Sequence, residues 1–118
     1  MITETRASYN GVRTRVLSVA GSGIPLVLLH GFMDSADTWR ALMAEFEAAG
    51  RAAIAVDLPG FGAADAREPD AMIVPRLDAF ADALLAEVGP AVVIGNSLGA
   101  CTAVRGARQP AAARIRPR

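Results

Sequence analysis

The sequence has no lysine, a single cysteine and a single histidine. Aromatic residues make up only 5% of it. One cysteine, Cys101, excludes an internal disulfide. The twelve basic residues are all arginine and are balanced by twelve acids, so the formal net charge is zero. A neutral chain gives no electrostatic case for nucleic acid or for an anionic membrane as a partner, and the arginine bias reads as GC-rich coding rather than phosphate recognition. No apolar run approaches the ~18 residues of a membrane span. The first residues, MITETRASYNG, lack the basic and apolar regions of a signal peptide. The expectation is a soluble, cytoplasmic protein.

Core-forming material is plentiful. The chain has 118 residues, 53% of them apolar, enough for one domain with a real core. Asn10-Gly11, between two strand-like flanks (Arg6–Tyr9 and Val12–Ala20), predicts a type I′ hairpin turn. Leu26–His30 is a continuous apolar run, as in a strand covered on both faces. Trp39, Leu42, Met43 and Phe46 fall at helical spacing, with Asp34 or Ser35 to cap the start and Gly50 to end it. Ala52–Asp57 reads as another buried strand, and Gly60–Asp70 as a small polar loop. Pro75 suits the opening of a helix whose stripe is Leu77, Phe80, Ala81, Leu84, Leu85 and Val88. Gly89-Pro90 stops it. Ala91–Gly95 is a further apolar strand, and Leu98–Arg108 a third helix, on which Cys101 reads as a buried core thiol. A hairpin followed by three strand–helix units predicts an α/β fold with a mostly parallel sheet and right-handed crossovers. Residues 1–108 form one domain in this reading, and 109–118 an irregular tail rich in arginine and proline.

Three segments carry chemistry. In Gly95-Asn96-Ser97-Leu98-Gly99 a serine sits between an apolar strand and a helix. Such a turn holds the serine at an unfavourable backbone angle and lifts its hydroxyl above the sheet; side chains at either glycine would collide across it. The helix that follows aims its free N–H groups and positive dipole end at any anion formed there. In Leu26–Phe32, LVLLHGF, Gly31 permits a turn that directs the Phe32 N–H outward. With the Leu98 N–H it would make a two-donor oxyanion hole, each donor worth about 2.7–4 kcal/mol of transition-state stabilisation. In Val56–Gly62, VDLPGFG, a strand ends in an acid and a glycine-rich loop, where Asp57 reads as an organiser of the loop rather than a catalytic group.

Together and in this order, HGF, DLPGFG and GNSLG resemble the oxyanion loop, the D-x-x-G-x-G turn and the nucleophile elbow of the α/β-hydrolase family. The resemblance runs from about residue 6 to residue 108. It implies a sheet whose first two strands are antiparallel and whose third to fifth are parallel. It implies Ser97 as the nucleophile, the Phe32 and Leu98 N–H groups as oxyanion donors, and structural roles for His30, Gly31, Asp57, Gly60, Gly62, Gly95 and Gly99. Neither metal nor cofactor is implied, and the substrate class is a small ester or other carbonyl compound. Serine argues against dehalogenase and epoxide hydrolase members, which use aspartate there. The family often has serine shortly after the D-x-x-G-x-G turn, where this chain has Ala64.

A serine hydroxyl needs an adjacent base, and in this family the acid and then the histidine follow the serine. After Ser97 the sequence contains no Asp, Glu or His. The expectation is therefore the N-terminal half of a hydrolase, inactive alone, with the sixth strand and all that follows missing. Ala91–Gly95 would then be an exposed sheet edge, open to self-association. A substitute triad of Ser97, His30 and Asp57 is imaginable but disfavoured, because the turn fixes His30 for a structural task. Esterase-like action is the default; C–C hydrolysis, haloperoxidase-type chemistry and acyl transfer stay open. The competing reading is a non-catalytic, truncated or degenerate fragment. A nucleotide-binding loop at Ala20–Gly23 lacks the required strand-to-helix frame.

Overall fold

Asn10 and Gly11 have φ of 50° and 78°, the two left-handed residues that a type I′ turn demands. They fold β1 (Thr3–Tyr9) back on β2 (Val12–Val19), with Tyr9 opposite Val12. The computed structural model describes residues 1–66, 72–106 and 115–117. After the hairpin come β3 (Ser22–Leu29), a 3-10 turn (Ala36–Trp39), α1 (Arg40–Ala48), β4 (Arg51–Val56), α2 (Ile73–Val88), β5 (Ala91–Gly95), α3 (Leu98–Gly106) and β6 (Ile115–Pro117).

The sheet order is β1-β2-β4-β3-β5-β6. β2 pairs antiparallel with β1 and β4, while β3 runs parallel to both β4 and β5. The ends of β4, β3 and β5 are thereby neighbours. Because side chains alternate across a strand, these strands feed two cores. Val27, Leu29, Val56 and Val93 pack on one face with Leu77, Phe80 and Leu84 of α2 and Ala103 of α3. Leu26, Leu28, Ala53, Ala55 and Val92 pack on the other with Met43 of α1. Both faces are covered, which is why the strands read as unbroken apolar runs. The result is the expected α/β architecture, a mostly parallel sheet with an N-terminal antiparallel hairpin and flanking helices.

Several expectations need correction. The predicted first helix is split: Ser35 Oγ accepts from the Asp37 N–H at 3.2 Å and starts a 3-10 turn before α1 begins. Leu42, assigned to the buried stripe of α1, is 37% exposed. α2 starts at Ile73, placing Pro75 inside the first turn, where a missing N–H still breaks no helical bond. Cys101 is exposed. The buried face of α3 is Gly99, Thr102, Ala103 and Gly106, a 3.6-residue stripe from which position 101 points away.

The sixth strand, expected to be missing, is present as Ile115–Pro117, parallel to β5, with Ala91 opposite Ile115 and Val93 opposite Pro117. An open strand end carries unpaired N–H and C=O groups that an extended segment can satisfy. Proline fits an outer strand, where no N–H is demanded. The tail is thus not irregular throughout, and Ala91–Val93 is not the sheet edge. The rest of that tail, the 108/109 boundary, the predicted end of α3 and the latter part of the 60–70 loop lie outside the described residues.

Candidate active site

Three non-glycine residues among those described have positive φ: Asn10 in the hairpin, Met33 (63°) and Ser97 (54°). Left-handed geometry in a non-glycine residue costs of order 1 kcal/mol or more and persists only where its surroundings impose it. At Ser97 the surroundings are explicit. The Asn96 N–H donates to the Leu29 carbonyl at 3.1 Å, fastening the turn to the end of β3. The Gly99 N–H donates to the Asn96 carbonyl at 3.0 Å, and the Cys101 N–H to the Ser97 carbonyl at 3.1 Å, starting α3. A Cβ on Gly95 would run into the backbone of Gly99 and Ala100, and one on Gly99 into the backbone of Leu29 and His30. The spacing of two glycines about a serine is therefore a steric requirement here. Ser97 itself is exposed.

The HGF segment lies against this turn. A Cβ on Gly31 would sit 3.5 Å from the Ser97 Cβ, so the backbone entering Phe32 flanks the serine. The Asp34 N–H donates to the Gly31 carbonyl at 3.2 Å, closing a tight turn over Phe32 and Met33. Among the described residues, neither the Phe32 N–H nor the Leu98 N–H donates to a protein acceptor. Two unengaged backbone donors thus stand on the segments either side of the Ser97 hydroxyl.

His30 is fully buried, and both of its ring nitrogens are engaged. Nε2 accepts from the Leu58 N–H at 2.9 Å. Nδ1 lies 2.7 Å from the Gly31 carbonyl, which can only accept, so the proton sits on Nδ1. With its ring tied to two loops, His30 has no nitrogen left for Ser97, which counts against the substitute triad.

Asp57 is also fully buried. Its Oδ2 accepts from Arg15 Nε at 3.0 Å and from the Ala63 N–H at 2.9 Å; its Oδ1 accepts from Arg15 Nη2 at 3.2 Å and from the Ala36 N–H at 2.7 Å. Burial pushes this carboxyl up, but the Arg15 fork and the two backbone donors outweigh it and hold it below the ordinary carboxylate range. Gly62 is bare for a steric reason: a Cβ there would stand 2.6 Å from the Asp57 carboxyl carbon. The Asp57 carbonyl accepts from Thr14 Oγ1 at 2.6 Å. Gly60 donates its N–H to the Asp65 carbonyl, and Ala64 donates its own to Phe61 across the same loop.

Arg15 was not legible as a site residue. It also pairs with Asp37 at 3.0 Å, which Arg15 and then Arg40 hold at about 2. A signal did exist. Arg15 shares the strand register of Leu17 and Val19, both buried, so its guanidinium needed an acid beside it. Beside the turn, Phe32, Met33, Pro59, Gly60, Phe61 and Ile73 line a cleft of ≈ 360 Å³, with the Phe32 and Phe61 rings edge to face at 5.4 Å. Among the described residues there is no cluster of His, Cys, Asp or Glu that could hold a metal, and no helix long and apolar enough to cross a membrane.

The profile of the alpha/beta hydrolase family matches residues 26–116. Among curated relatives, epoxide hydrolase A of Mycobacterium tuberculosis is 37% identical, the match taking in 83% of this chain and 32% of the relative. The putative protein-lysine deacylase ABHD14B of Homo sapiens is 41% identical over 69% of this chain and 42% of its own length. Among solved structures, epoxide hydrolase A of Mycobacterium thermoresistibile superposes with TM-score 0.81 at 32% identity, over 91% of this chain and 35% of that one. An N-formylmaleamic acid deformylase of Pseudomonas putida gives TM-score 0.82 at 27% identity, over 96% of this chain and 44% of that one. The chain spans about a third of the length of the first curated relatives it matches. With its serine turn, its HGF loop and its buried Asp57 turn set on one sheet, this chain belongs to the alpha/beta hydrolase family.

Proposed function

We propose that this chain carries the nucleophile and the oxyanion hole of a serine hydrolase that cleaves acyl groups from a small ester or related carbonyl substrate. The observation that carries the reading is Ser97 at φ 54°, exposed, with the Gly31 backbone against its Cβ. In the reaction, the Ser97 hydroxyl attacks the carbonyl carbon while a histidine takes its proton. The carbonyl π pair moves onto oxygen and is held by the Phe32 and Leu98 N–H groups. Collapse expels the alkoxide, which receives the proton from the histidine. Water then attacks the acyl-serine and releases the acid.

In this reading the histidine and its acid lie outside these 118 residues: both nitrogens of His30 are taken, and no acid follows Ser97, where the family places it. The chain by itself is therefore the nucleophile-bearing part of the machinery. The names of the relatives span epoxide opening and amide deacylation. Serine favours the acyl side for a chemical reason. An alkoxide that opened an epoxide would leave an ether on the enzyme, which water does not cleave, whereas an acyl-serine is readily hydrolysed. C–C hydrolysis, acyl transfer and haloperoxidase-type chemistry use the same donors and differ in residues outside this stretch.

Incubation with a fluorophosphonate tests the reading. The 118-residue chain is expected to label at Ser97 no faster than a free serine, and a mixture with a relative's complementary segment bearing the acid and histidine to label quickly and lose labelling in Ser97→Ala. Fast labelling of the chain alone would show that a base is present after all. No labelling in a folded, completed enzyme would favour the non-catalytic reading.

A further inference from the structure

We propose that Arg15 is a positioning residue for the oxyanion loop, acting through Asp57. The proposal rests on reading the Phe32 N–H as an oxyanion donor. The loop from Gly31 to Ser35 has little packing of its own: Phe32 is 63% and Met33 77% exposed, and Met33 is held left-handed. Beyond the Asp34–Gly31 hydrogen bond and the Phe32–Phe61 ring contact, the loop is anchored at its two ends. At the first, His30 binds the Gly31 carbonyl and the Leu58 N–H. At the second, the Ala36 N–H donates to Asp57 Oδ1 at 2.7 Å.

The direction of that second bond depends on how the carboxylate is rotated. Arg15 sets the rotation, because its Nε and Nη2 take one carboxylate oxygen each, at 3.0 and 3.2 Å. A planar fork fixes the plane of its partner, whereas a lysine ammonium is a point charge and does not. The same guanidinium reaches Asp37 in the 3-10 turn that follows the loop. Arg15 therefore holds both the acceptor of the loop's last anchor and the turn that receives it. Its hydrogen bonds and ion pairs go to Asp57, Asp37 and Glu4, and none goes to Ser97.

The test is made on the 118-residue chain by 15N relaxation and amide exchange in Arg15→Lys and Arg15→Gln. Expected in both is faster exchange at Ala36, by roughly fivefold to tenfold, the worth of one hydrogen bond. Order parameters at Phe32 and Met33 should fall from about 0.85 towards or below about 0.6. Val27 and Val93, in the sheet, should keep wild-type values, which a general loss of stability would not allow. A folded variant with Phe32 and Ala36 unchanged overturns the proposal. Should both variants unfold, the wild-type chain is titrated with acid while Glu4, Asp37 and Asp57 are followed by carboxyl 13C shifts. Phe32 ordering must then fall in step with protonation of Asp57, ahead of global unfolding; loss only at global unfolding overturns the proposal. Ser97→Ala leaves these readouts intact, so failure of the serine reading and failure of this one are distinguishable.

Discussion

Two strand ends, one on either side of β3, use their polar groups in opposite ways. At the end of β4, Asp57 is buried and its carboxylate accepts four hydrogen bonds, from Arg15, Ala36 and Ala63. At the end of β5, Ser97 is exposed and backbone-strained, and among the described residues the Phe32 and Leu98 N–H groups donate to no protein acceptor. One end is a lock; the other is the end proposed above as an open site. Strained groups persist only where neighbouring structure over-determines them, and at Ser97 that structure is the Leu29 carbonyl, the bare Gly95 and Gly99 and the first turn of α3.

The contrast is broken most severely by Asp57→Ala. Arg15 and two backbone donors would be left in a buried site without their acceptor, and removing one partner of a buried pair costs about 3–5 kcal/mol. Urea denaturation should show a midpoint shift of that size, or no cooperative fold. Acid does the same by degrees. The Asp57 and Asp37 carboxyls lie below their unfolded values, so each contributes stability that is complete above about pH 4 and is lost as pH falls through its folded value. The loss should be visible as a falling Tm between about pH 4 and about pH 2, and should be shallower in Asp57→Asn.

Gly99→Ala strikes the open end. Its new methyl meets the backbone of Leu29 and His30, an overpacking expected to cost about 1–3 kcal/mol and to displace Ser97. Ser97→Gly should act with the opposite sign, raising stability by up to about 1 kcal/mol as the left-handed strain is relieved. A stabilising loss of the hydroxyl would mark that end as built for chemistry; a destabilising one would make it ordinary structure. The smallest effect belongs to Cys101→Ala, within about 0.5 kcal/mol for an exposed position. In the folded wild type the Cys101 thiol should react with a disulfide reagent at the rate of an accessible cysteine.

Much of this was legible residue by residue. Asn10-Gly11, the α2 stripe around Phe80, and the glycines about Ser97 each act through contacts within a few positions, or through a periodicity that a strand or helix imposes on any chain. The HGF, DLPGFG and GNSLG segments could be assigned to loops for the same reason. What failed has a common cause. Leu42 and Cys101 are hydrophobic by type, but their exposure depends on which face of a helix meets the sheet. The pairing of Ile115–Pro117 with β5 depends on an open strand end elsewhere. Arg15 was passed over because its partners Asp57 and Asp37 are distant in sequence.

The sequence alone determined the order of the first five strands and the three helices, the bend at Ser97 and the absence of an acid or histidine after it, because local sterics and residue identity do not wait on folding. Only the tertiary structure decided that His30 has no free nitrogen, which donors Asp57 takes as organiser of its loop, and that Arg15 forks onto its carboxylate. Each of those facts is a hydrogen bond between groups that only the closed sheet brings within reach.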